Sequence, residues 1–352
     1  MNRKNSCWLS YNRSFFVGLC CTGQMILLTA IIYKKCLPRF WIIATEGVVL
    51  MKPLISVIIP TYRRTQSLRI ALQSLCQQDY SPLEIILIDD NADPKWNKKV
   101  AEIAAELSTL LPPEYSFKRI VNAQNTGAAK SRNIGIHACK GAYVTFLDDD
   151  DIYLFNKISS QFAVMEAGTA DFSLMDLELF HPDGQLVERK THPYLNNFPD
   201  QKELIRLHLM YHLTGTDTMM FRRDYLLKTG GFGSVDIGDE FYLMMKAIEK
   251  GGRFVYLPQS LVHACVHYDG SGLSGGPLKR QGEEMLFQFK RTYFPNLSPS
   301  DIRFIRMRHH AVLAFAYLKQ GDLLHFLCEA MQSFFLSPVG CIRMLSQRKS
   351  QK

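Results

Sequence analysis

The sequence predicts an α/β fold, a mixed sheet with helices on both faces and a helical appendage at the C-terminal end. Three observations lead there. Short, nearly continuous apolar runs at 55–59, 84–88, 117–121 and 142–147 have the length and composition of strands buried in a sheet. Between them lie stretches with apolar residues at helical spacing, and this strand–helix alternation implies parallel pairing with helices on both faces. Finally, every strand run ends abruptly in a polar or acidic segment, and the last of these is the quartet Asp148-Asp149-Asp150-Asp151.

At 352 residues the chain is long enough for one large domain or two modest ones. A hydrophobic content of 47% with 21% charged residues is ordinary for a globular protein, and a net charge of +8 suits an anionic partner without choosing among nucleotide, phospholipid and nucleic acid. Nine cysteines, an odd number with no C-x-x-C spacing, argue against a zinc site or disulfide framework and for a reducing, cytoplasmic compartment. Residues 1–50 contain an apolar run, Phe15 to Tyr33, broken by Thr22, Gly23 and Gln24 and flanked by Lys34 and Lys35. It is close to the minimum for a membrane span, so this segment is either a leader outside the working protein or a single membrane anchor. The strand that follows Met51 at once marks the start of an α/β domain.

The elements justify themselves in order. Ile55 to Ile59 is a strand closed by Pro60. Thr65 to Gln77 places Leu68, Ala71, Leu72, Leu75 and Cys76 on one helical face. Glu84 to Ile88 is a second strand ending in Asp89-Asp90-Asn91, and a helix follows with Trp96, Val100, Ile103, Leu107 and Leu110 on one side, stopped by Pro112-Pro113. A third strand at 117–121, a third helix at 127–139 and a fourth strand at 142–147 complete the first half. In open α/β sheets ligands sit beyond the carboxyl ends of the strands. That rule gathers Pro60-Thr61-Tyr62-Arg63-Arg64, Asp89-Asp90, Asn125-Thr126-Gly127 and Asp148 to Asp151 on one rim. An aromatic ring to stack on a base, a carboxylate to accept from a base N–H, basic side chains and an acidic cluster together describe a nucleotide-diphosphate pocket. Four adjacent carboxylates raise one another's pKa unless a cation neutralises them, and oxygen-only ligands favour Mg²⁺ or Mn²⁺. No G-x-G-x-x-G follows the first strand and no G-x-x-x-x-G-K-[ST] occurs, which disfavours a dinucleotide site and a P-loop.

Four of these segments together resemble family 2 glycosyltransferases: 56–63 (SVIIPTYR), 86–91 (ILIDDN), 125–133 (NTGAAKSRN) and 146–153 (FLDDDDIY). The resemblance implies the GT-A fold and an inverting enzyme that uses a nucleotide-sugar. It implies that Pro60 and Tyr62 line the base pocket, with Thr61, Arg64, Asn125 and Gly127 beside them, and that Asp90 accepts from the base. Lys130 or Arg132 approaches the diphosphate, Asp148 and Asp149 face the donor, and Asp148 and Asp150 form the D-x-D that meets ribose and metal. The plain alternatives are a solvated helix-face charge for Arg132 and a packed turn aromatic for Tyr62.

In the second half, Asp171 to Phe180 and Gln185 to Lys190 read as a hairpin across His181-Pro-Asp-Gly184, and Thr216 to Phe221 as a strand running into a short helix. Asp239 and Glu240 open a helix. Acids at a helix start commonly just match the dipole, but an inverting transfer needs a carboxylate to take the acceptor's proton. The family writes Glu-Asp where this chain has Asp239-Glu240; Asp239 is the first choice for the base and Glu240 the second. The segment from Val262 to Ser274 resembles the family's late His…Ser loop, in which His267 reaches the metal or diphosphate. Helices follow at 278–293, 300–318 and 323–336, then a basic end with Arg343, Arg348, Lys349 and Lys352. They are read as a packed appendage or as a peripheral membrane contact.

The expected layout is therefore 1–50 as leader or anchor, 51–158 as the nucleotide-sugar half, 159–295 as the acceptor half of the same domain, and 296–352 as a helical tail. The expected activity moves one sugar, UDP-linked by preference, to a glycan or lipid-linked glycan in cell-surface polysaccharide synthesis. A divalent cation assists, and the work is done in the cytoplasm or at the inner face of the membrane. The rivals are a nucleotide-sugar-binding protein without transfer activity and a nucleotidyltransferase. No motif supports a nucleic-acid partner.

Overall fold

The computed structural model describes residues 52–195, 199–213, 215–233, 238–267 and 276–342, the side chains of 276–279 excepted. Residues 51–352 form one compact unit. The leader-or-anchor segment 1–50 lies outside the described residues, as does the basic end beyond Ile342.

Among the described residues nine strands build one sheet. β1 (Ile55–Thr61), β2 (Leu83–Asp89), β3 (Ser116–Val121) and β4 (Tyr143–Phe146) carry the order β3-β2-β1-β4, all parallel. Strand order reverses beside β1, which puts a crevice at the carboxyl ends of β1 and β4. Beyond β4 the sheet continues through β8 (Met220–Arg222), β6 (Phe172–Phe180), β9 (Phe254–Cys265) and β5 (Ile152–Tyr153), with β7 (Leu186–Lys190) hairpinned on β6. β4–β8, β6–β8 and β5–β9 are antiparallel and β6–β9 is parallel, so the sheet is mixed.

The period of two in the strands decides which helix packs where. Ile55, Val57 and Ile59 face one core with Leu83, Ile85 and Leu87, whereas Ile58 faces the other with Ile86 and Ile88. The first core is covered by α1 (Gln66–Cys76), α2 (Pro94–Ser108) and α4 (Lys157–Ala167). The second is covered by α3 (Ala128–Ala138), α5 (Gln201–Tyr211), α6 (Arg223–Thr229) and α7 (Asp239–Glu249). A third apolar cluster joins Leu209 of α5 and Phe241 and Met245 of α7 to α8 (Gly276–Arg291) through Leu286 and to α9 (Pro299–Lys319) through Ile305. α10 (Leu323–Leu336) packs on α9.

Three element readings differ from the structure. β1 runs past Pro60 to Thr61, pairing Thr61 with Asp89 of β2. Thr216–Thr218 is a turn of 3₁₀ helix and only Met220–Arg222 is strand, because the Asp217 carboxylate turns inward to accept from the Asp148 N–H at 2.8 Å. The residues from Val262 to Cys265, read as part of a loop, end the twelve-residue strand β9, with Val262 and Ala264 alternating into the core.

α3 lies so close to β1 that a Cβ built on Gly135 would meet Ile58 Cγ2 at 2.4 Å, and Ile58 is fully buried. Gly135→Ala should therefore lower stability by about 1–3 kcal/mol through overpacking. Urea unfolding checks this; an unchanged midpoint would mean that α3 is free to lift off the sheet.

Candidate active site

Because β1, β2 and β4 are parallel, their carboxyl ends bring Thr61–Arg64, Asp89–Asn91 and Asp148–Asp151 to one rim. Tyr62 stands 43% exposed there, with the Arg63 guanidinium 5.1 Å from its ring centroid, so its ring is not packed into the core. Asp90 is buried and holds the loop before α3: Oδ1 accepts from Asn122 Nδ2 (2.7 Å), Thr126 N (2.8 Å) and Thr126 Oγ1 (3.0 Å), and Oδ2 accepts from Gly127 N at 2.8 Å. Gly127 adopts φ 82°, a left-handed conformation that glycine reaches without strain. Asn125 donates to the Asp90 carbonyl at 3.1 Å. Asp89 belongs to the scaffold, since Arg119 and Asn91 occupy its carboxylate.

The four consecutive aspartates take four different environments. Asp148 Oδ1 accepts from Arg132 Nη2 at 2.5 Å. Asp149 Oδ2 accepts from Thr61 Oγ1 at 2.7 Å and from Tyr62 N at 3.3 Å. Asp150 Oδ2 lies 2.7 Å from His267 Nε2 and 3.1 Å from Arg64 Nη2. His267 Nε2 is also 2.7 Å from Arg64 Nη1, and a single ring nitrogen serves only one of these partners at a time. Asp151 Oδ1 accepts from Cys265 N at 2.8 Å, which ties the rim to the end of β9.

The second half of the chain supplies two more carboxylates. Asp217, which sequence reasoning passed over inside an expected strand, comes together with Asp148 and Asp151. Each offers an oxygen within 4.8 Å of the others, the one such acidic group among the described residues. Its signal was present in the sequence, a lone acid in an otherwise apolar strand reading. Burial, and then the charge of Asp148, push Asp217 up to about 7, and burial with Asp217 alongside pushes Asp151 well up too. This all-oxygen set fits a hard divalent ion, whereas Asp150 and His267 are engaged with each other and with Arg64. Beneath the cluster the buried Lys157 amine donates to Thr145 Oγ1 at 2.6 Å, and burial lowers its pKa well below the usual lysine value.

Asp239 sits in the first turn of α7, and its Oδ2 accepts from Arg132 Nη1 at 2.9 Å. Arg132 is 5% exposed and bridges Asp239 to Asp148; it is not a solvated face charge. Burial opposes its charge, but the two carboxylates raise its pKa further still. Burial pushes Asp239 up to about 8, Arg132 pulls the other way, and Glu240 adds to the rise. Glu240 Oε1 lies 3.4 Å from His212 Nε2. Lys130, one turn from the rim, is exposed.

Asp149, Asp217 and Asp239 stand at about 7, 7 and 8 against an ordinary 3.8. The folded state thus keeps protons that the unfolded chain has released. Their stabilisation is complete below about pH 4 and is lost as pH rises through 7 to 8. Without divalent ions, the thermal midpoint should be lower at about pH 8 than at about pH 5.5. Asp239→Asn should shrink that difference in scanning calorimetry; an unaltered slope would show that Asp239 is ionised throughout.

Residues 56–230 match the family model described as glycosyl transferase family 2. An uncharacterised glycosyltransferase of Haemophilus influenzae is 26% identical over 228 residues, covering 63% of this chain and 71% of that protein. The Escherichia coli enzyme WfgD, a UDP-Glc:α-D-GlcNAc-diphosphoundecaprenol β-1,3-glucosyltransferase, is 28% identical over 128 residues, which are 36% of this chain and 47% of WfgD. Among solved structures, S. aureus TarS 1–349 in complex with UDP-GlcNAc superposes with a TM-score of 0.52 at 16% identity, covering 79% of this chain and 90% of that one. A mannosyltransferase from Pyrobaculum calidifontis in complex with GDP-Man and Mn²⁺ gives 0.53 at 16% identity, covering 91% and 93%. These likenesses confirm the GT-A fold, and through residues 56–230 the chain belongs to glycosyl transferase family 2.

Proposed function

We propose that this glycosyltransferase moves a single sugar from a nucleotide-diphospho-sugar, UDP-linked by preference, to a glycan or lipid-linked glycan with inversion, in the building of a cell-surface polysaccharide. The observation that carries the reading is the Arg132 bridge. One buried guanidinium joins Asp239, the candidate base, to Asp148 at the end of β4, so acceptor-side and donor-side acids share one cleft. WfgD, by its name, pairs a UDP-linked donor with a lipid-diphosphate acceptor. A lipid-linked acceptor would set the enzyme in the cytoplasm at the inner face of a membrane, in peripheral contact with it.

In this reading the base of the donor stacks on Tyr62, above Pro60 and Thr61. Among the described residues the Oδ2 of Asp90 has one partner, Gly127 N, which leaves a lone pair for a base N–H. The Gly127 N–H keeps that carboxylate in place, and Asn125 holds the Asp90 main chain through its carbonyl. Arg64 and Lys130 offer positive charge to the diphosphate from the β1 and α3 sides, and Asp149 fixes the loop at Thr61 and Tyr62. Mg²⁺ or Mn²⁺, held through Asp148 with Asp151 and Asp217 or with Asp150 and His267, would neutralise charge on the departing diphosphate. Asp239 takes the proton of the acceptor hydroxyl; the hydroxyl oxygen then bonds to the anomeric carbon as the bond to phosphate breaks on the opposite face. Its raised pKa suits a base working near neutral pH. Glu240, beside it and held by His212, is the second choice.

The test is transfer by the full chain from UDP-, GDP- and dTDP-linked sugars to lipid-diphosphate-linked glycans, with product stereochemistry read by NMR. Asp239→Asn should cut kcat by about 10²–10⁴-fold while donor binding is retained. Donor binding with neither transfer nor hydrolysis in the wild type would favour the non-catalytic alternative, and retention of anomeric configuration would overturn the mechanism.

A further inference from the structure

α10 is turned inside out relative to an ordinary surface helix. Its polar side faces the protein: Ser333 is buried with Oγ donating to the Met307 carbonyl at 2.9 Å, and Glu329 pairs with His310 of α9 at 2.7 Å. Its apolar side faces out. Leu324 is 71% exposed and Phe335 79%, and Leu327, Met331 and Phe334 continue the same stripe at three- and four-residue spacing. Val339 and Ile342, just beyond the helix, extend it. A contiguous apolar face of this size on a soluble surface marks an interaction site.

Its surroundings say what kind. Phe335 also lines a cavity of about 500 Å³ between α8, α9 and α10, whose other walls include Arg291, Arg306 and His310. Arg306 rests over the Phe294 ring and Arg291 donates to Gln288, and neither meets a carboxylate among the described residues. Arg303, Arg306 and His310 recur along α9 at the spacing of one helix face. The acids of α10 and its N-cap, Glu329 and Asp322, are already paired with His310 and His325. A second copy laid on this face would thus present no free acid to the two arginines. Residues 343–352 add Arg343, Arg348, Lys349 and Lys352 and no acid. At 14 residues α10 falls short of the roughly 20 needed to span a bilayer, and no helix among the described residues is long and apolar enough to cross one.

We infer that α10 lies in the plane of an anionic phospholipid surface, its apolar stripe inserted among the acyl chains while Arg291 and Arg306 receive a lipid phosphate in the adjoining cavity. This gives the proposed setting at a membrane face a definite surface. It is read without donor or acceptor, so its failure leaves the transfer reaction standing, and failure of the reaction leaves it standing in turn.

The experiment is flotation of the full chain with vesicles of phosphatidylcholine alone and of phosphatidylcholine with about 30% phosphatidylglycerol. The chain should float with the anionic vesicles, not with the neutral ones, and less at high salt. The double variant L327E/F335E alters two exposed side chains and should keep the wild-type thermal midpoint while losing at least about tenfold in vesicle affinity. R291S/R306S should abolish the preference for the anionic lipid. Wild-type affinity in L327E/F335E, or no flotation of the wild type, overturns the inference. So does a wild-type oligomer in light scattering that L327E/F335E converts to monomer, which would make the stripe a contact between copies.

Discussion

Four consecutive carboxylates at the end of a buried strand are the constraint around which the rest of this structure is arranged. β4 is flanked by β1 and β8 and is buried along its whole length, so Asp148 to Asp151 emerge together at the rim. Left to themselves such neighbours repel and would be driven to take up protons. The fold answers by giving each its own partner: Arg132 for Asp148, Thr61 for Asp149, Arg64 and His267 for Asp150, and the Cys265 N–H for Asp151. Part of the neutralisation expected of a bound cation is thus supplied by the protein. In the grouping of Asp148 and Asp151 with Asp217, burial and neighbouring charge still raise the pKa values of Asp151 and Asp217.

The same partners join the two halves of the domain. Arg132 comes from α3, in the first half, and reaches Asp239 of α7, in the second; Asp217 approaches from the turn before β8, and Cys265 from the end of β9. The two halves are therefore linked through a few buried polar contacts. In a low-dielectric setting such contacts hold geometry firmly when satisfied and cost stability when one member is lost. Arg132 is the member on which both sides lean.

Beyond the sheet, the C-terminal helices show a different division of labour. The third apolar cluster fastens α8 and α9 to α5 and α7, so these two helices are part of the folded body. α10 is attached through Ser333 and Glu329 and keeps its apolar residues outside. Hydrophobic spacing alone places an amphipathic helix on a core; it does not say which of its sides the core takes.

Much of this protein was legible in its sequence. The apolar runs, their period of two, and the stretches of helical spacing between them determined the α/β class and the parallel first half, because burial on both faces demands that composition. The motifs at the strand ends placed Tyr62, Asp90 and Asp148–Asp151 on one rim, since parallel strands must end on the same side. What only the tertiary structure decided is pairing across long separations: that Arg132 is buried between Asp148 and Asp239 rather than solvated, that Asp217 turns inward to join the quartet, that His267 meets Asp150 and Arg64, and that β9 runs on through Cys265. Local spacing reports which face a residue occupies within its own element. The partner across a cleft depends on how distant elements pack, and that information is spread over the whole chain.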